Sequence, residues 1–251
     1  NFYGWFFERV FAEAVIKEGW QRKFLSAMCK WHLGRVKDPV LRSKLTPTDE
    51  PLCKRMVMST LFYPAVARPN VEIVRDGIVG ANEKGLLDAS GRLHELDVII
   101  FATGFNARAY HRPIEVTNAQ GGSLTEAWKV ETGAHLSVHV PGFPNFMLIG
   151  GPHSPRGNFS AIAYSEAIVD HIVKVIRYCA DNGFHSIEAR PEAMAQFRER
   201  VLSAVPKTIW STGCKNWYLD EKGLPENWTG TPDEYRDVLR DPNYDEFNLA
   251  A

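Results

Sequence analysis

Residues 97–105 read Asp97-Val98-Ile99-Ile100-Phe101-Ala102-Thr103-Gly104-Phe105 and constrain the fold more than any other stretch. Four consecutive large apolar side chains do not alternate between core and solvent, so the run predicts a fully buried strand. The strand opens into Ala-Thr-Gly, where small residues let a ligand approach the backbone closely. A bare strand followed by a turn is the competing reading. A second apolar run, Asn145 to Gly150, predicts another buried strand. It leads through a Gly/Pro/Ser loop at 150–158 into a long amphipathic helix, expected over Phe159 to Asp181. The apolar stripe of that helix is read from Ile162, Ile168, Val169, Ile172, Val175 and Ile176, and Gly183 is its expected stop. Strands feeding helices in this way indicate an α/β fold.

The rest of the chain is read by period and by its breakers. Residues 5–34 carry apolar side chains at three-to-four spacing and predict helix up to Gly34. Lys37 to Leu45 predicts a short helix with Asp38 as cap and Pro39 in its first turn. Two prolines make 46–51 a loop. A β-meander is expected next, with strands at Val71–Val74, Gly77–Ala81, Gly85–Asp88 and from His94 to Phe101. Ser186–Ala189 predicts a strand, Pro191–Ala204 a helix, and the Trp-, Tyr-, Gly- and Pro-rich tail from Lys207 reads as irregular.

Composition narrows the function. The 251 residues are 45% hydrophobic and 24% charged, which excludes a disordered chain or a coiled-coil rod. Twenty-nine basic and 30 acidic residues give a net charge of −1, so no nucleic-acid footprint is expected. No apolar run approaches the ~20 residues of a membrane helix, and the aromatic start lacks the features of a signal peptide. A cytoplasmic protein without stable membrane insertion is expected. Cys29, Cys53, Cys179 and Cys214 form no C-x-x-C pair and read as scattered reduced thiols. The triplets at Asn158 and Asn227 read as chance glycosylation matches. His135 and His139 would share a strand face, but no third ligand is evident, so no metal site is expected. No G-x-G-x-x-G fingerprint occurs, so no complete dinucleotide pyrophosphate site is encoded. Residue 1 is Asn, which suggests a piece of a longer protein.

Three further motifs carry chemistry. Cys53-Lys54-Arg55 follows the proline loop; a solvated cation pair is its default reading. Gly150-Gly151-Pro152-His153-Ser154-Pro155-Arg156-Gly157-Asn158 joins a strand to a helix N-terminus, whose N–H groups and dipole favour an anion or an electron-rich ring edge. A tight connection is the alternative. Cys214-Lys215-Asn216-Trp217-Tyr218-Leu219 is otherwise read as core aromatics beneath a loop.

In this order the four motifs resemble the C-terminal half of a Baeyer–Villiger-type flavin-containing monooxygenase, a class B flavoprotein monooxygenase. The Asp-x-x-x-x-Ala-Thr-Gly-Phe segment is shared with the wider flavin-containing monooxygenases. The combination with Lys54-Arg55, Gly151 to Pro155 and Asn216-Trp217-Tyr218 is similar to the Baeyer–Villiger branch, and the match runs from near residue 5 to about Phe247. The resemblance implies C-terminal portions of two glutathione-reductase-like, Rossmann-type domains for FAD and NADP, with a helical insertion and the meander. Residues 1–60 would be the helical segment and the end of the NADP-binding domain. Residues 61–205 would belong to the FAD-binding domain, and 206–251 would be a tail over the active site.

The activity implied is NADPH- and O2-dependent oxidation of a ketone to an ester or lactone through a C4a-peroxyflavin. By position, Arg55 matches the arginine needed for oxygenation and Lys54 a residue near the NADP 2′-phosphate. Thr103, Gly104 and Phe105 match the segment passing close to FAD. Gly151, Pro152, His153 and Ser154 match the loop along the isoalloxazine ring, and Trp217 the tryptophan that contacts the nicotinamide cofactor. A permanent guanidinium charge suits an anionic oxygenating species, because it stabilises the anion without supplying a proton. The glycine fingerprints and the signature Phe-x-Gly-x-x-x-His-x-x-x-Trp would precede residue 1. The isolated chain is therefore expected to be inactive and to need its N-terminal half. Alternatives are an N- or S-oxygenating enzyme, a disulfide-type flavin reductase, and a non-catalytic fragment that binds no flavin alone.

Overall fold

The computed structural model describes residues 2–157, 159–214 and 216–251. Asn158 of the glycine-loop motif and Lys215 of the tail motif lie outside the described residues. The chain is a mixture of helix and sheet. Helix α1 (Phe2–Phe6) passes through a π-helical turn at Phe7–Phe11 into α2 (Ala12–Ile16). Lys17 then turns extended, at φ −146° and ψ 156°, which divides the helix expected over 5–34 before α3 (Trp20–Gly34). Helix α4 (Pro39–Leu45) starts as expected, with the Asp38 carboxylate accepting from the Val40 and Leu41 amides. Then follow α5 (Phe62–Val66), β1 (Ile78–Asn82), β2 (Gly85–Asp88), β3 (Leu93–Glu95) and α6 (Leu124–Val130). The last third holds α7 (Ala161–Asp181), β4 (Ser186–Ala189), α8 (Pro191–Ser203), α9 (Pro232–Arg240) and β5 (Phe247–Ala250).

The chain divides into two compact units, one of residues 1–27, 49–56 and 107–251, the other of 28–48 and 57–106. The core of the first unit joins Leu136, Val138, Tyr164, Ile168, Phe197, Val201, Trp228, Tyr235 and Leu239. Burial of such side chains contributes roughly 1.5–3 kcal/mol each. On α7 the buried face is Tyr164, Ile168, His171 and Val175. Ile162, Val169 and Ile176 of the expected stripe point outward, at 71%, 42% and 55% exposure. His171 belongs to the buried face because both its ring nitrogens are engaged: Nδ1 lies 3.0 Å from the Leu239 carbonyl and Nε2 3.0 Å from His139 Nε2.

The tail is more regular than expected. Thr231 and Glu234 form a reciprocal capping box that starts α9. Strand β5 pairs antiparallel with β4, Ser186 opposite Ala250 and Ala189 opposite Phe247. The strand expected at 145–150 is reduced to a single bridge between His139 and Met147. His135 and His139 face each other across a tight turn. Among the described residues no group of three metal-ligating side chains occurs, and no helix is long and apolar enough to cross a membrane.

The second unit contains the antiparallel meander β1-β2-β3, with Asn82 opposite Gly85 and Leu87 opposite Leu93. Asp88 fastens its second turn. Its carboxylate accepts from the Ser90 and Arg92 amides at 2.9 and 3.0 Å and meets His94 Nε2 at 2.8 Å. Hydrogen bonds from the Ser90 hydroxyl and from His94 hold it well below the usual carboxylate range. The expected strand at Val71–Val74 does not form, and pairing in the last strand stops at Glu95. Val98, Ile100 and Phe101 are 74%, 85% and 83% exposed, which corrects the buried strand expected there. A strand is held by its neighbours, and among the described residues none pairs with this run.

Candidate active site

The Cys53-Lys54-Arg55 motif is anchored at one end and free at the other. Leu52 and Cys53 are buried, and Leu52 takes the left-handed conformation at φ 78°, which costs a non-glycine residue of order 1–3 kcal/mol. Cys53 is joined to Cys214 by a disulfide with a Cα–Cα separation of 6.4 Å. This corrects the expectation of four scattered thiols; Cys29 and Cys179 lie outside the disulfide, and burial pushes both thiols up. The Asn216 amide closes the junction, donating to the Cys53 carbonyl at 2.9 Å. Lys54 is exposed and ion-paired with Asp49 at 2.6 Å, an exposed pair that contributes little stability. Arg55 is exposed beside the anchor. Burial raises the Tyr164 and Tyr218 phenols, and the charges of Arg55 and Arg156 pull both back. Arg55 thus lies within electrostatic reach of the tail residue that follows Trp217. Trp217 is 46% exposed and rests on Tyr218, ring centroids 3.9 Å apart.

The loop at 151–154 is buried rather than open. Gly151, Pro152, His153 and Ser154 are all covered. The Gly151 amide donates to Ser137 O at 3.2 Å, the His153 amide to Glu226 O at 3.0 Å, and the Ser154 amide to Gly151 O at 3.2 Å. Trp228 N donates back to Ser154 O at 3.2 Å, so the tail backbone is bonded to the loop. The loop amides are therefore spent inside the fold, and the helix whose N-terminal N–H groups were expected to favour a ligand begins at Ala161. A side chain at Gly151 would place its Cβ 2.5 Å from the Ser137 carbonyl, which explains the glycine. Thr103, Gly104 and Phe105 belong to the second unit. They lie in an exposed turn, with Gly104 at φ 84° and Phe105 fully exposed.

Arg156, within the loop motif, ties three segments together. It donates to Ala107 O at 3.2 Å and to Glu226 O at 3.4 Å, bonds the Tyr110 hydroxyl, and lies 4.6 Å above the Tyr110 ring. Tyr110 also reaches the Glu226 carboxylate at 3.1 Å. A narrow space beside this network is lined by Ala107, Arg156, Trp217, Tyr218, Glu226 and Asn227. Arg156 Nε, Tyr218 Oη and Asn227 Nδ2 are buried there without a partner. Tyr110 and Glu226 carry no local motif; only their contacts with each other and with Arg156, across 116, 46 and 70 positions, reveal them.

His153 adds a pH dependence. Burial first, then the Arg198 and Arg156 cations, lower it to about 4. An unfolded histidine takes up its proton near 6.5, so acidification below that value favours the unfolded chain until the folded one also protonates near 4. Burial lowers His139 and His171 in the same direction. Stability should therefore fall between pH 7 and pH 5, with His153 contributing about 2 kcal/mol of the loss. His153 sits at φ 63°, which Asn tolerates, so His153→Asn should flatten the dependence by that amount in urea titrations. Identical slopes in the two proteins would refute this.

No family model matches the chain. It is 41% identical over 239 residues to an uncharacterized monooxygenase of Mycobacterium tuberculosis (strain ATCC 25618 / H37Rv), covering 95% of this chain and 48% of the relative. It is 33% identical over 249 residues to a Baeyer–Villiger monooxygenase of Streptomyces coelicolor, covering 98% and 48%. The solved structure of OTEMO in complex with FAD and NADP superposes with a TM-score of 0.83 at 27% identity, over 95% of this chain and 46% of that one. The chain spans about half the length of the curated relatives it matches. It is similar to Baeyer–Villiger-type monooxygenases over about half of their length, an extent that fits a C-terminal half.

Proposed function

We propose that the chain is part of a FAD- and NADPH-dependent enzyme that uses O2 to convert a ketone into an ester or lactone. The observation that carries this reading is Arg55: an exposed cation on a buried, cross-linked anchor, whose charge reaches Tyr218 next to Trp217. The oxygen chemistry is the flavin's when bound, and its electrons come from NADPH.

The residues of the chain have narrower tasks. Arg55 holds negative charge at the reacting centre and, staying protonated, gives no proton to it. Lys54 exchanges its weak partner Asp49 for the 2′-phosphate of NADP. Thr103, Gly104 and Phe105 run beside FAD, and Gly151 to Ser154 form a rigid wall along its ring. The buried His153 stays neutral at neutral pH, so this wall adds no positive charge there. Trp217 covers the nicotinamide cofactor and excludes water. In this reading the finer architecture is that of two glutathione-reductase-like domains, with 1–60 ending the NADP domain, 61–205 continuing the FAD domain and 206–251 lying over the site. The remaining half, O2 and a small apolar ketone are the partners, and the compartment is the cytoplasm.

The test is to produce the chain with its preceding coding sequence and record its absorbance. Flavin bands are expected, and a cyclic or aryl ketone with NADPH should give ester. Amine or sulfide oxides without ester would replace this reading by N- or S-oxygenation. A colourless protein would leave only a non-catalytic fragment.

A further inference from the structure

Cys53 and Cys214 stand 161 positions apart; Cys53 directly precedes Lys54-Arg55, and Cys214 stands three positions before Trp217. Both are buried, at 0% and 4% exposure. Their Cα separation of 6.4 Å lies within the range a disulfide spans. Asn216 Nδ2 donates to the Cys53 carbonyl and lies 3.6 and 3.7 Å from the two sulfurs, so the junction holds polar contacts as well as the covalent one. On the Cys53 side, Leu52 is kept in a left-handed conformation that a leucine leaves when unconstrained. On the Cys214 side, Gly213 at φ 85° ends a short 3-10 helix. Between Gly213 and Leu219 the described residues belong to no helix or strand. An irregular segment thus follows one sulfur, held by the Asn216 contacts and by the Glu226 amide donating to Tyr218 O at 2.9 Å, and a strained residue precedes the other.

We propose that Cys53 and Cys214 are a reversible dithiol–disulfide modification site, whose oxidised form fixes Trp217 beside Arg55 and whose reduced form releases it. With a peroxide as oxidant the step balances. One thiolate displaces hydroxide from the peroxide to give a sulfenic acid, and the second thiol attacks that sulfur. The S–S bond forms, two thiol protons are lost, and hydrogen peroxide leaves as two waters. Burial of both sulfurs selects a small oxidant and a small reductant over a bulky protein thiol. The pairing itself needs no assumption about the reaction; its effect on turnover rests on the function proposed above.

The full-length enzyme would be treated with hydrogen peroxide or with a phosphine reductant, its free thiols alkylated, and its peptides analysed by mass spectrometry. A linked peptide joining the Cys53 and Cys214 segments is expected after oxidation, and alkylation of both after reduction. Reduction should raise the KM for NADPH about fivefold, the scale of one more side chain left to be ordered on binding. Cys53→Ser and Cys214→Ser should each hold the higher KM whatever the treatment, while Cys179→Ser should switch like the wild type. Absence of the linked peptide, or a link that no reductant opens, overturns the site without touching the proposed reaction. A link that opens and closes with no change in KM overturns the control it is given. The peptide and wild-type KM measurements stand even if the serine variants fail to fold.

Discussion

Replacing Arg55 by alanine in the full-length enzyme is expected to lower ester formation by about 10²–10³-fold, the usual cost of removing one charge-stabilising group. Reduction of the flavin by NADPH should survive nearly unchanged, because the oxygenating anion that Arg55 is proposed to stabilise forms only after reduction. The split follows from the setting of the residue. Arg55 is exposed and follows a buried, cross-linked pair of residues, so its loss leaves no cavity and breaks no core contact. Folding and cofactor binding should be intact, and the defect should lie in the oxygenating half of the cycle alone. Arg55→Lys keeps the charge but loses the planar fork, and should recover only part of the activity. Rapid-mixing absorbance under anaerobic conditions follows reduction, and chromatography follows ester. Undiminished ester formation in Arg55→Ala would remove the residue from the reaction.

The largest effect on stability is expected at Tyr235. Its ring is wholly buried among Leu136, Tyr164, Ile168, Phe197 and Trp228, and its hydroxyl approaches the Leu136 carbonyl at 3.4 Å. Tyr235→Ala should cost about 3–5 kcal/mol, the transfer of an aromatic ring plus the cavity it leaves. Tyr235→Phe keeps the ring and gives up the hydroxyl's contacts with the Leu136 carbonyl and with Ser137 and Ser154, a loss of about 1 kcal/mol. Urea unfolding of the two variants separates packing from hydrogen bonding; equal losses would show that the hydroxyl matters as much as the ring. The position also bears on the site. Tyr235 lies on α9, and Trp228, in its cluster, bonds Ser154 of the glycine loop. Loosening this cluster should therefore loosen the loop.

What was legible in the sequence was local. Helix α4 announced itself through Asp38 and Pro39, α7 and α8 through period and punctuation, and β4 through a short alternating run. Helix α9 is equally local, since Thr231-Pro232-Asp233-Glu234 is a capping box, although the composition around it is that of an irregular tail. Strand β5 was not local. Phe247–Ala250 is a strand because Ser186–Ala189 lies beside it, some sixty positions earlier. The run at 98–101 failed for the opposite reason, having the composition of a core strand and no partner. On α7 the periodicity was right and the face wrong, because a histidine with two bonded nitrogens belongs inside. Within the candidate site, the motifs marked Arg55, the glycine loop and Trp217. The sequence could not reveal the Cys53–Cys214 pairing, since spacing does not determine connectivity, nor the Arg156–Tyr110–Glu226 network, which exists only once the tail crosses the loop.

The bare run at 98–101 also bears on handling. Val98-Ile99-Ile100-Phe101 combines high β-propensity with no charge and no proline, and an exposed ribbon of this kind can template another extended chain. Asp97 is the one gatekeeper at its flank. Solubility of the polypeptide therefore depends on how quickly this ribbon finds a legitimate neighbour, and crowded or overproduced material competes for it by edge-to-edge self-association.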